Sequence, residues 1–203
     1  MKALNVTVIY YSSTGTNYTL ANWAEEAAKE LACETRVRKV PELAPREAIQ
    51  QNPAWQAHYE ATQTIPVATL DDLTWADVLI FSMPTRYGMI ASQMKQFLDT
   101  TGGLFAKGLL VDKVVTAMTS AQNDHGGQET TLISFYTQMF HWGALVVTPG
   151  YTSSAVNAAG GNPYGTSVTA RKDASDKTVD KTYRAAVFHQ VQRAIQIAHK
   201  LKA

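Results

Sequence analysis

The sequence predicts a doubly wound α/β fold, a five-stranded parallel sheet with helices on both faces. Apolar runs of strand length alternate with stretches of helical periodicity from one end of the chain to the other, the pattern of repeated β–α–β units. Several of those runs are continuously apolar, as strands buried on both faces are. With 203 residues, 45% of them hydrophobic, the chain is long enough to bury a sizeable core, and we expect one domain over residues 1–203.

The first strand is read at residues 4–11, and a helix follows in which Leu20, Ala24, Ala27, Ala28 and Leu31 recur at helical spacing. Residues 35–40 form the second strand, ended by Pro41. Residues 78–83, stopped by Pro84, are short and apolar but for Ser82 and make the third; Ile90, Met94, Phe97 and Leu98 mark the next helix. The fourth strand covers residues 113–119, with Leu132, Phe135, Tyr136 and Met139 on the helix after it. Residues 144–148, stopped by Pro149, are the fifth, and Val187, Val191, Ala194, Ala198 and Leu201 give the closing helix one apolar face. Residues 41–69 and 150–181 exceed what such a fold needs, and long segments of this kind are usually functional or take part in assembly. Some helix is expected in the first. The mixed charges of residues 171–181 read as solvated surface.

Lys and Arg number 18 against 17 Asp and Glu, a balance that predicts neither nucleic acid nor a charged membrane as partner. Cys33 is the one cysteine; it leaves no internal disulfide and no CxxC pair, so a reducing cytoplasm is the expected compartment. The opening residues read as a strand rather than a signal peptide, and no apolar run approaches the ~20 residues of a membrane span. His58, His125, His189 and His199 show no ligand spacing with one another or with carboxylates, so no metal site is predicted.

In an open parallel sheet, ligands bind beyond the carboxyl ends of the strands, where the strand order reverses. The loops after the first, third and fourth strands fall there. The first is Ser12-Ser13-Thr14-Gly15-Thr16-Asn17, four hydroxyls and an amide around a glycine at the start of a helix. Free N–H groups and the helix dipole favour an anion at such a terminus. It lacks the GK[ST] of a P-loop and the GxGxxG of a dinucleotide fold, so a lone monophosphate held by neutral donors fits; an over-supplied N-cap would use the same residues. The second loop, Pro84-Thr85-Arg86-Tyr87-Gly88, joins an aromatic face, hydroxyl and backbone donors and a fixed cation. That mixture suits a flat, polar-edged ring, and equally a proline-led surface turn. The third runs from Ser120, Ala121, Gln122 and Asn123 to Gly126 and Gly127, polar and again opening a helix. A magnesium-dependent receiver domain is excluded, because the ends of the first and third strands carry Tyr10-Tyr11-Ser12 and Ser82-Met83-Pro84 where acidic residues would be needed.

Further motifs accompany these loops: residues 93–108 (QMKQFLDTTGGLFAKG), Gly126-Gly127-Gln128-Glu129, His141, Gly143, Pro149-Gly150-Tyr151 and Gly160-Gly161-Asn162-Pro163-Tyr164-Gly165. Together they resemble the flavodoxin-like NAD(P)H:quinone oxidoreductases of the tryptophan-repressor-binding-protein (WrbA) family over nearly the whole chain. The resemblance implies the strand order 2-1-3-4-5, FMN as cofactor, NADH or NADPH as reductant, a quinone as acceptor and a homotetramer whose sites open near subunit boundaries. It implies that Ser12 to Asn17 hold the FMN phosphate, and that Pro84 to Tyr87 with Gly88, and Ser120 to Gly127, hold the ring. Tyr87, Phe105, His141 and Tyr151 would line the face where nicotinamide and quinone alternate, with His141 beside the cofactor as the polar catalytic participant. Phe105 stands where the family carries a tryptophan, and the loop from Ser120 is one residue longer than the family's.

The expected chemistry is two-electron transfer in ping-pong order, in which the protein supplies position and polarity rather than a nucleophile. An electron-carrier flavodoxin is the alternative, against which the near-zero charge and the long added segments argue. A flavin-binding regulatory or assembly protein is the third reading, although no basic groove or recognition-helix pattern for DNA is present.

Overall fold

A computed structural model describes residues 3–170 and 181–202. Its elements in chain order are β1 (Asn5–Tyr10), α1 (Thr16–Glu30), β2 (Glu34–Lys39), α2 (Arg46–Gln50), α3 (Pro53–Ala61), α4 (Leu70–Trp75), β3 (Val78–Arg86), β4 (Met89–Ile90), α5 (Ser92–Asp99), α6 (Gly102–Ala106), β5 (Val114–Ala121), α7 (Gln128–His141), β6 (Leu145–Val146), α8 (Ser154–Ala158), β7 (Ser167–Thr169) and α9 (Lys181–Leu201). The main sheet runs β2-β1-β3-β5-β6 and is parallel throughout. In order of the five principal strands this is 2-1-3-4-5, as the resemblance implied.

Side chains of β3 alternate between two cores, as a pleated strand buried on both faces must. Leu79, Phe81 and Met83 pack with Ile9, Val115 and Ala117 against Phe97, Leu98, Phe135 and Met139 of α5 and α7. Val78 and Ile80 pack with Val6, Val8 and Met118 against Leu20 and Ala24 of α1 and Val187 and Val191 of α9. The alanines at 21, 24, 27 and 28 are fully buried, and their small side chains let α1 lie close between the sheet and α9.

Three boundaries differ from expectation, each for a local reason. Pro84 does not stop β3, which runs to Arg86 with Pro84 in register with Ser120. Ser82 O accepts from Tyr11 N, so Pro84, two residues on, turns its missing N–H towards the β1 side beyond the end of that strand. The fifth strand is split. β6 pairs only with Val114 and Val115, while β7 pairs with Thr119, Ser120 and Ala121; β7 was not foreseen, because Ser167-Val168-Thr169 is too short and polar to show a period. β5 itself runs on to Ala121, so Ser120 and Ala121 belong to a strand end rather than a loop. The helix expected within residues 41–69 is present as α2 and α3. The mixed-charge run 171–181 lies outside the described residues except for Lys181. Among the described residues no helix is long and apolar enough to cross a membrane.

Candidate functional site

The loops after β1, β3 and β5 lie at one end of the sheet, and Asn17 fastens all three. Its Nδ2 donates to Ser120 Oγ at 2.7 Å, and Ser82 Oγ donates to its backbone O and Oδ1 at 3.0 and 3.2 Å. With its side chain committed inside the protein, Asn17 can face a ligand only through its backbone. Ser12 closes the first loop by accepting from Gly15 N at 3.0 Å. Gly15 then opens α1 at φ 104° with no side-chain cap bond, and no acidic residue stands in the first turn. A positive φ of that size strains any residue with a Cβ. The result is a helix amino terminus whose N–H groups have no capping side chain, framed by Ser12, Ser13, Thr14 and Thr16, which is suited to an anion.

The second loop is a tight hairpin. Thr85 and Arg86 pair with Ile90 and Met89, leaving Tyr87 and Gly88 at φ 53° and 77°. Two successive positive values are what the twist of a two-residue hairpin demands. This projects Tyr87 fully into the open, at 103% relative exposure. Arg86 Nη2 donates to Ser13 Oγ at 3.1 Å, binding the second loop to the first. Thr131 Oγ1 of α7 donates to Thr85 Oγ1 at 2.6 Å, binding it to the third. Gly127, the first residue before α7, sits at φ 85°, and a Cβ there would lie 2.7 Å from Gly88 Cα. The second and third loops therefore meet backbone to backbone. Gly126 lies close against the Ala121 side chain and the Asn123 carbonyl, while Gln122 and Asn123 stay exposed; Gln128 Nε2 donates to Asn123 O at 2.9 Å.

Three expected residues stand elsewhere in the chain. His141 is the last residue of the 14-residue α7, which begins at the third loop and runs back along the sheet for about 20 Å at 1.5 Å per residue. Its exposed side chain is thus at the opposite end of the strands. Phe105, half exposed, follows α5 down to that same end: Asp112 N donates to Gly143 O at 3.1 Å, joining the segment after α6 to the end of α7. Tyr151 is exposed at the β6 edge, where Gly150 N donates to Pro163 O at 3.0 Å. Within one chain, neither His141 nor Phe105 is brought to the loops.

Sequence reasoning missed the support beneath the first loop. Glu42 accepts from Tyr11 Oη at 2.9 Å, Gln93 Nε2 at 2.8 Å, Trp55 Nε1 at 3.1 Å, and the N–H groups of Leu43 and Ala44. Tyr11 Oη also accepts from Ser13 Oγ at 3.3 Å. Burial, joined by the Glu42 carboxylate, pushes the Tyr11 phenol up, so it stays a neutral donor. The length of the 41–69 segment was the only signal of this hub.

A family model for NADPH-dependent FMN reductases matches residues 4–158. The chain is 46% identical over 198 residues to the NAD(P)H dehydrogenase (quinone) of Deinococcus radiodurans, covering 98% of this chain and 97% of that one. It is 41% identical to the enzyme of the same name from Rhodopseudomonas palustris, over 90% and 94% of the two chains. Among solved structures, the flavodoxin-like WrbA-type protein of Agrobacterium tumefaciens superposes with a TM-score of 0.64 at 18% identity, covering 98% and 99% of the chains. A flavodoxin from the domain Archaea gives 0.58 at 17% identity, covering 98% and 100%.

Proposed function

The chain belongs to the NADPH-dependent FMN reductase family, and on that premise we propose that it is an FMN-dependent oxidoreductase transferring two electrons from NADH or NADPH to quinones. The observation that carries the reading is the opening of α1: a Gly15 amino terminus without a capping side chain, ringed by hydroxyls and without a lysine. Those donors suit a monophosphate and give nothing with which to grip a triphosphate.

The residues present fit FMN. We assign the phosphate to the hydroxyls of Ser12, Ser13, Thr14 and Thr16 and to the N–H groups of Thr16 and Asn17 that the Gly15 turn leaves at the helix amino terminus. The ring is assigned to the shelf formed by Pro84, Thr85, Arg86, Tyr87 and Gly88 on one side and Ser120, Ala121, Gln122, Asn123, Gly126 and Gly127 on the other. When bound, FMN supplies the hydride and electron chemistry that no side chain here can perform. The chain's own part is positional. Asn17, Ser82 and Ser120 keep the strand ends in register, and Arg86, already held by Thr85 O and Ser13 Oγ, presents a fixed positive charge beside the ring. Tyr87 offers an open aromatic face on which a nicotinamide and then a quinone can stack, which is the ping-pong order.

His141, Phe105 and Tyr151 enter this reading from a second copy. The length of α7 supports that: His141 is exposed at the far end of the helix, accessible to the loops of a neighbouring subunit in a homotetramer. The test is steady-state oxidation of NADH or NADPH with benzoquinone by the FMN-loaded protein. Turnover well above free FMN is expected, and a rate equal to free FMN contradicts the assignment.

A further inference from the structure

Residues 41–69 lay α3 against the hydroxyl loop. His58, in the last turn of α3, stands beside the first residue of the α1 terminus: a Cβ on Gly15 would lie 3.7 Å from His58 Nδ1. Its ring packs on Tyr18 of α1, with centroids 5.4 Å apart at 52°, which fixes it over the loop. Between α3 and the ends of β1 and β2 lies a cavity of about 240 Å³ whose wall includes Ser12, Lys39 and His58. No hydrogen bond to either ring nitrogen of His58 is present among the described residues. The half-buried imidazole, set against a helix amino terminus on the wall of a cavity, thus has both ring nitrogens available to a ligand.

We propose that His58 is a further cofactor-binding residue, a titratable cation that α3 brings to the hydroxyl loop and that pairs with the phosphomonoester of FMN. This rests on the FMN reading above. The other titratable groups around the ring are Lys39 from β2, Glu42 from the segment after it, Tyr10 and Tyr11 from the β1 end, Tyr18 from α1 and Tyr59 from α3 itself. Lys39 Nζ donates to Thr62 O at 2.6 Å and Glu42 is occupied by Tyr11, Trp55 and Gln93, so neither is free to pair with His58. Burial, then the Lys39 charge, hold the imidazole below its ordinary value. A dianionic phosphate beside it acts in the opposite direction. Binding therefore takes up a proton, and affinity rises as pH falls from the bound-state value towards the lower free-state one. The phosphate's own second ionisation, near ~6, has the reverse sign, since a cationic site releases that proton.

The test is a fluorescence titration of the apo-protein with FMN, and with riboflavin as the probe lacking phosphate, for wild type and His58→Gln between about pH 6.5 and 8.5. Wild type should bind FMN about five- to tenfold more tightly at the lower pH, while His58→Gln with FMN, and both proteins with riboflavin, change by less than about twofold. Calorimetry of wild type in two buffers of different ionisation enthalpy reads the proton directly, without relying on a variant; net uptake is expected. Net release or no proton change, or the same FMN profile in both proteins, overturns the inference and leaves FMN binding intact. Failure of both proteins to take up FMN at any pH overturns the inference and the FMN reading together.

Discussion

Asn17 is where the strand ends of the site are joined, because one buried amide serves hydroxyls on β3 and β5 at once. Replacing it with alanine strips Ser120 of its donor and leaves Ser82 only the backbone oxygen of residue 17, among buried groups. Asn17→Ala should cost about 1–3 kcal/mol of stability, read by urea unfolding, and weaken FMN binding because the loops lose their common tie. An unchanged unfolding midpoint would contradict that role. Gly127 is constrained twice, by a left-handed φ and by the Gly88 backbone 2.7 Å from where a Cβ would lie. Gly127→Ala should therefore destabilise by about 1–3 kcal/mol, and FMN affinity should fall with it as the second and third loops separate.

At the scale of elements, α4 shows how local chemistry anchors the sheet edge. Asp72 closes the capping box of α4 with Thr69 while pairing with Arg36 and Arg38 of β2 at 3.1 and 3.0 Å. Burial alone would raise its carboxyl, but the Thr69 N–H and hydroxyl, then Arg38 and Arg36, outweigh that and hold it below the usual range. A depressed carboxyl stabilises fully above its unfolded value of ~3.9 and loses that contribution as pH falls through the folded one. Asp72→Asn should cost about 2–3 kcal/mol at pH 7, and the gap to wild type should close as pH falls through the depressed folded-state value; a gap that persists in acid would show that charge is not the cause. The strands were legible because a strand buried on both faces writes its burial into contiguous residues, while their order came from the family resemblance alone. β7 was not, being three residues long, and Pro84 was misread because a proline stops a strand only where its N–H is needed. The hydroxyl, PTRYG and glycine loops were legible in composition. The Glu42 hub was not, since its donors come from positions 11, 43, 44, 55 and 93, which only folding brings together.

The whole molecule separates two sets of residues along the strand axis. The three loops occupy the carboxyl end of the sheet, while His141 and the segment around Phe105 occupy the amino end; in the function proposed above, one subunit holds the cofactor cradle and a second supplies His141. His141→Ala should then lower kcat/KM for quinone by about tenfold or more while leaving FMN affinity within about twofold, and sizing of the FMN-loaded protein should give a tetramer. A monomer that turns over at full rate would contradict assembly of the site from two copies. The most direct test of the central claim is one experiment on one sample: titrate the apo-protein with FMN, then assay NADH and NADPH oxidation with benzoquinone. The account predicts saturable binding near one FMN per chain and quinone-dependent turnover that rises with occupancy. A protein that takes up no FMN, or that binds it without turnover above free FMN, would contradict it.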